Sequence, residues 1–511
     1  MLVSSMIAFL LTAAPASARP ARSVALLEIT AEDFWRAYHA AHPLEAVRND
    51  VRGAGRLPDY SPRAARAARA RFAELSRRMR RIPAAGLSAE ERITREALSF
   101  WIERERAAAS SDTDAWRLDP AFALYAARLL SRRYDPASEE FRSRIREIPI
   151  YLAGREKSLR RGLASGAVAA AVSVERTAEA VERFAASPPP GWASVAPAYR
   201  RYAEFLRREL LPRARSDDSP GLISLPGGPR LYRLLLRRRF GIDRDPAALH
   251  ADGLAAIARL GLPPAPKRRF ASSERRLREA RNRSNAAAAE LPRFFAVIPN
   301  ASPTIAALPQ YEQKDAPAGR YDSGMIELGD VLPYELPALL AHEGLPGHHL
   351  ERTTARRAPG LPEFRRRLSL SVHCEGWALY AESLAGEMGL YKTPEERAGM
   401  LAARAWRAAR LVVDTGLHAK GWSRKDAAAY LRAHTRLSER RIETEVVDLI
   451  SNPGRGVSYW VGASLIEELR ANAERTLGPR FDLKRFHDAI LSGGALPPML
   501  LERRVRARLG F

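Results

Sequence analysis

One cysteine in 511 residues excludes an internal disulfide. The fold must be held by its core, and a chain of this length can bury a large one. Beyond the N-terminus no stretch offers the roughly 18 continuous apolar residues of a membrane-spanning helix. Histidine is scarce, at ten residues, and acidic residues are so outnumbered that the formal charge is +24. Such an excess raises nucleic acid or anionic membranes as partners, but its distribution excludes a dedicated nucleic-acid site. Arginines are scattered through helical segments such as residues 63–71 and 236–239, without the aromatic interleaving of a strand-binding surface. A solvated basic face, weakly attractive to acidic peptides or surfaces, is expected. No internal repeat is present.

Residues 2–14 form an apolar run of about signal-peptide length, followed by Ala16-Ser17-Ala18, the small-x-small pattern of a cleavage site. The run is too short to span a bilayer. Export with a mature chain starting at Arg19 is expected; no cysteine precedes the cleavage site, so no lipid anchor is. From residue 29 to 211 helix follows helix, with Thr30-Ala31-Glu32-Asp33 resembling a capped start and apolar residues at helical spacing in 72–75 and 93–102. Pro188-Pro189-Pro190-Gly191 is a break, and residues 216–221 read as a polar linker. The expected organisation is a signal peptide at 1–18, an N-terminal helical region at 19–221 and a chemistry-bearing region at 222–511. Two further helices are expected at 231–240 and 246–260, the second entered through Asp245-Pro246, with His250 structural. Residues 304–308 and 325–328, short and apolar between Pro, Gly and Asp, are the strand candidates in a mainly α protein.

The chemistry concentrates in His342-Glu343-Gly344-Leu345-Pro346-Gly347-His348-His349, and four of the ten histidines lie between His342 and His373. A helix carrying His-Glu normally supplies a second metal ligand at i+4, with Glu holding a water. Here i+4 is Pro346, which lacks an N–H and whose ring meets the carbonyl of His342. The helix must kink or widen, and Gly347 permits the angles of a bulge. In an unbroken helix His348 would sit about 9 Å along the axis from His342, and His349 about 10.5 Å along it on the same face. His348 is the preferred ligand, with His349 behind it or in its place. Glu375 in His373-Cys374-Glu375-Gly376-Trp377-Ala378-Leu379-Tyr380-Ala381-Glu382 is the candidate third ligand. A catalytic zinc takes three protein ligands and a water, whose proton Glu343 is placed to accept. Cys374 reads as a small buried residue, and Glu382 is placed to orient a ligand. Arg410, Asp414 and His418 recur at four-residue spacing and share a helix face, either as a buried network or to hold Glu375 or the substrate.

These motifs resemble the bacterial domain-of-unknown-function family 885. The likeness continues through residues 410–418, Gly421-Trp422-Ser423, Asn452-Pro453-Gly454, Ser458-Tyr459 and Phe486-His487-Asp488, beginning near Leu225-Pro226-Gly227-Gly228. Relatives usually have Gln where this chain has Arg455 and Arg where it has Asp448. The family is similar to zinc peptidases of the His-Glu…His…Glu type. That resemblance implies a multi-helix zinc-peptidase-like architecture with a small β element beside the metal helix. An edge strand there, at 325–328, would pair with the substrate backbone, and Tyr459 would steady the oxyanion. The expected function is an exported zinc (Zn2+) metallopeptidase that cleaves peptides through a water the metal activates. A zinc hydrolase of a non-peptide amide or ester and an inactive peptide-binding relative are the alternatives.

Overall fold

Helix follows helix in the computed structural model, from Arg19–Ala41 to Pro498–Leu509, as the apolar spacing requires. The structure describes residues 19–51, 56–262, 266, 268–308 and 318–511; the expected signal peptide at 1–18 lies outside them. Among the described residues no helix is long and apolar enough to cross a membrane.

Several helix starts follow from local chemistry. Ser88 accepts the Glu91 N–H at 3.2 Å while the Glu91 carboxylate accepts the Ser88 N–H at 2.6 Å, a capping box. Asp245 accepts the Ala247 N–H at 2.8 Å and opens Pro246–Leu260. Thr30 is not a helix start, contrary to the sequence expectation. It lies inside Arg19–Ala41, where its hydroxyl donates to the Leu26 carbonyl at 2.7 Å, the local bond a threonine makes when the helix runs on.

The largest apolar cluster joins Leu27, Phe34, Phe72 and Trp101 to Trp377, Phe486 and Leu500. Segments on both sides of residue 222 therefore share one core. A second cluster, with Phe141, Trp192 and Tyr199, is drawn from between Leu57 and Leu210. The helices Ser371–Glu387 and Arg455–Leu477 cross at unusually short range. A Cβ on Gly376 would lie 2.5 Å from the Gly462 Cα, and one on Gly462 would lie 1.9 Å from the Val372 carbonyl oxygen. Glycine at both positions lets the two backbones touch, which brings the helix of Glu375 against that of Tyr459.

Three short strands form the β element: β1 (Thr304–Ala307), β2 (Gly319–Asp322) and β3 (Met325–Leu328). The order is β1-β3-β2, with β3 parallel to β1 and antiparallel to β2, and Ile326 opposite both Ile305 and Tyr321. Met325–Leu328 is thus the central strand, which corrects its expected place at an edge. β2 was not foreseen, because Gly-Arg-Tyr-Asp has no apolar alternation. Its pairing is set by the two-residue turn Ser323-Gly324, both with positive φ (50° and 93°), the combination that suits a tight hairpin.

Candidate metal centre

The histidine motif is two helices. Leu336–Glu343 stops, residues 344–347 turn the chain, and His348–Arg357 begins a new helix. The bulge expected at Pro346 is a full break because proline offers no N–H to continue the ladder, and the Leu345–Pro346 peptide is cis. A Cβ on Gly347 would lie 2.0 Å from the His342 carbonyl oxygen, so the turn closes only with glycine. Trp377 donates its indole N–H to the Pro346 carbonyl at 3.0 Å and ties the turn to the Glu375 helix. The break folds His348 back onto His342, with ring centroids 4.9 Å apart and planes at 85°.

Glu375 completes a cluster with these two. Its Oε2 lies 3.4 Å from Nε2 of His342 and 3.4 Å from Nε2 of His348, and the three ligand atoms all lie within 4.8 Å of one another. Two donors about 2.05 Å from a tetrahedral zinc are about 3.3 Å apart, and both Glu375–histidine spacings match that value. His342 is aimed by its other nitrogen: Nδ1 bonds to Glu382 Oε1 at 2.8 Å, and both residues are buried. A carboxylate behind a histidine in this way fixes its tautomer and ring orientation. Burial disfavours a charged His342, but hydrogen bonds with Glu375 and Glu382 outweigh it and raise its pKa to about 9. Burial likewise opposes the charge on Glu375, yet the two histidines hold its carboxyl well below the usual range.

Glu343, last residue of its helix, points its Oε2 at the backbone N–H of Tyr321, 2.9 Å away. That N–H belongs to β2, an edge strand, so the acid is braced by the sheet. Tyr459 stacks over His342 with ring centroids 6.2 Å apart and planes at 19°. Burial first, and the Glu375 charge second, push its phenol up to about 12, so near neutral pH it keeps its proton and can donate a hydrogen bond. The Arg407 and Arg410 guanidinium carbons lie 4.7 Å and 5.0 Å from its ring.

The remaining predicted residues are placed as follows. His349 turns away from the cluster and bonds through Nε2 to the Ala301 carbonyl at 2.8 Å. His373 is buried, where Nδ1 accepts the Leu496 N–H at 3.4 Å. Arg410 pairs with Glu445 and, at 2.8 Å, with Asp448. Asp414 accepts the Tyr232 hydroxyl at 2.6 Å and the N–H groups of Gly454 and Gly456 at 2.9 and 2.8 Å; burial raises its pKa to about 6. His418 accepts the Leu222 N–H at 3.1 Å and bonds to the Leu449 carbonyl at 2.9 Å. Asp414 thus holds the backbone that delivers Tyr459, His418 ties Leu222 to the end of the preceding helix, and neither bonds to Glu375 among the described residues. His250 bonds to Thr415 at 2.8 Å. Burial pushes the Cys374 thiol up to about 12, which disqualifies it as a nucleophile. Sequence reasoning missed Tyr321 and assigned no role to Trp377 or Arg407, whose parts depend on which elements meet.

Fold and site together define a mainly helical protein with a two-histidine, one-glutamate cluster of the kind that ligates a divalent metal. The chain belongs to the family described as bacterial protein of unknown function, DUF885, whose pattern matches residues 43–262 and 260–505. The match starts well before the Leu225 region where the resemblance in the motifs begins. No curated protein matches the chain. Among solved structures it is similar to the "putative lipoprotein" of Colwellia psychrerythraea, at 22% identity and a TM-score of 0.86 over 96% of this chain and 99% of that one. It is also similar to a "putative lipoprotein of unknown function" from Shewanella oneidensis, at 15% identity and a TM-score of 0.69 over 94% and 98%. Both share the fold.

Proposed function

We propose that the protein is an exported zinc-dependent hydrolase, and specifically a metallopeptidase. The observation that carries the reading is the convergence of His342 Nε2, His348 Nε2 and Glu375 Oε2 at 3.4 Å spacings with a carboxylate, Glu343, next in sequence to the first histidine. Three protein donors would hold the ion and leave a fourth position open. Bound zinc supplies Lewis acidity, which makes water a nucleophile near neutral pH and polarises a carbonyl. Glu343 accepts the proton of the attacking water and passes it to the leaving amine. Tyr459, protonated and beside His342, donates to the oxyanion, a contribution of about 2.7–4 kcal/mol for one such donor. β2 offers the part of its edge not taken by the Tyr321 N–H bond to Glu343 to an extended peptide backbone. Export is supported by the apolar leader of the sequence and agrees with the lipoprotein descriptions of the two structural relatives.

The test is Glu343→Gln. It preserves size while removing the proton acceptor, so turnover of a mixed peptide library, read by mass spectrometry at equal zinc loading, should fall about 10²–10⁴-fold. Zinc content should not change. Wild type that cleaves no peptide would shift the reading to a non-peptide amide or ester, or to a binding protein. Cleavage by Glu343→Gln at the wild-type rate would overturn the mechanism.

A further inference from the structure

The turn at residues 452–455, which launches the helix of Tyr459, gathers arginines from distant parts of the chain. Arg117 donates to Asn452 Oδ1 at 2.5 Å, and its Nε is buried without a partner. Arg455 pairs with Asp448 at 2.9 Å and lies one helical turn before Tyr459, hence on the same face. Gly454 rests on the ring of Phe240, since a Cβ there would come within 2.6 Å of Cε2. The residue before that ring is Arg239, half-buried, with its guanidinium carbon 5.4 Å from the ring centroid.

Arg239 differs from its neighbours. Among the described residues neither a hydrogen bond nor an ion pair reaches it. The nearby acids are engaged elsewhere: Asp119 accepts from Asn452 at 2.7 Å, Asp448 takes Arg410 and Arg455, and Glu105 bonds to His42 at 2.7 Å. The charge of Arg117, then burial, then Arg104 and Arg455 disfavour the Arg239 cation and push its pKa well down, with the smaller attraction of Asp119 opposing them. An arginine does not release its proton under such pressure. The repulsion is relieved when an anion enters.

We propose that Arg239, Arg117 and Arg455 form a subsite for a carboxylate of the bound peptide, one helical turn from Tyr459. A planar carboxylate matches the guanidinium fork. The inference rests on the peptidase reading in naming the ligand a substrate, whereas the binding itself requires no turnover. The carboxylate can be the C-terminus of the peptide or an acidic side chain.

Fluorescent hexapeptides in three forms separate these sources: a free C-terminus, its C-terminal amide, and the amide with one Gln replaced by Glu. Binding is read by anisotropy on full-length Glu343→Gln protein, with zinc and with chelator, so cleavage does not interfere. At least one carboxylate form should bind about tenfold tighter than the plain amide, the worth of a charge-assisted contact. Arg239→Gln, added to that protein, should abolish the preference and leave amide binding unchanged, and Arg239→Lys should restore part of it. Preference for the free C-terminus assigns the subsite to the peptide end, and preference for Glu assigns it to a side chain. Equal binding of all three forms, or a preference that survives Arg239→Gln, overturns the proposal. Carboxylate binding without hydrolysis by wild type would instead sink the peptidase reading alone.

Discussion

Glu382→Gln isolates the carboxylate that aims His342. The wild-type contact is 2.8 Å between Nδ1 and Oε1, with Glu382 1% and His342 3% exposed. Removing a charged partner of this kind weakens a metal site by about 10–100-fold, or about 1.4–2.7 kcal/mol. A second effect acts the other way. Zinc must displace the proton from His342, and with a pKa of about 9 that competition costs wild type up to about 100-fold in affinity at pH 7. The variant holds the proton less tightly, because one of the two raising carboxylates is gone. The two effects therefore offset at pH 7, and the loss should emerge at pH 9.

The assay is zinc competition against a chromophoric chelator from pH 7 to pH 9. Wild-type affinity should climb steeply over this range and the variant's less so, with the variant at least tenfold weaker at pH 9. The linkage has a definite sign: His342, raised in the fold, adds stability to the metal-free protein that is full below its unfolded pKa of about 6.5 and is lost as pH rises through about 9. Metal-free Glu382→Gln should show less of that loss. Its stability at pH 7 should stay within about 1 kcal/mol of wild type, since Glu375 still pairs with the imidazolium while one buried charge, with Oε2 unpartnered, is removed. Equal zinc affinity of the two proteins at pH 9 would refute the reasoning.

Three further outcomes follow from the geometry. His348→Ala should release zinc and His349→Ala should retain about one equivalent per chain, as metal analysis of the purified proteins would show; the reverse result would displace His348 as ligand. Gly462→Ala, with its Cβ 1.9 Å from the Val372 carbonyl oxygen, should cost about 3 kcal/mol in denaturant unfolding. Gly386→Ala, whose Cβ meets only the Tyr391 ring at 3.7 Å, should be neutral or stabilising by up to about 1 kcal/mol. Burial lowers the pKa of His487 to about 3, so its neutral state adds stability at pH 7 that falls away below pH 6.5; His487→Asn should reduce the stability loss between pH 7 and pH 5 by about 2 kcal/mol.

The cluster His342, His348, Glu375 was legible because rare, chemistry-bearing residue types fell close together, and its spacing problem had a local cause in Pro346. Glu382 was legible for the same reason, as a second acid two turns along the helix of Glu375. The break at residues 344–347 was half legible: proline announced an interruption, but whether the helix bulges or stops depends on Trp377 and on the closure allowed by Gly347. β2 was hidden, since nothing in Gly-Arg-Tyr-Asp marks a strand until the Ser323-Gly324 turn lays it on β3. The arginines around the 452–455 turn were least legible of all. Arg117 and Asn452 stand 335 positions apart, and in sequence each arginine looks like one more charge on a basic helical surface.

Arg455 and Asp448, two positions where the resemblance to the family implies other residues, are partners at 2.9 Å. Contacting positions are where substitutions fail to act independently, and the reason here is electrostatic. Arg455 without Asp448 would add an unpaired cation beside Arg117 and Arg239, where like charges already repel. Asp448 removes that penalty while remaining bonded to Arg410 and Asn452. The pair therefore makes it possible to place a guanidinium one helical turn from Tyr459. His342, His348 and Glu375 lie on other helices and need not move to accommodate it. A double exchange at 448 and 455 would thus change the charge beside Tyr459 and leave the His342, His348 and Glu375 cluster untouched.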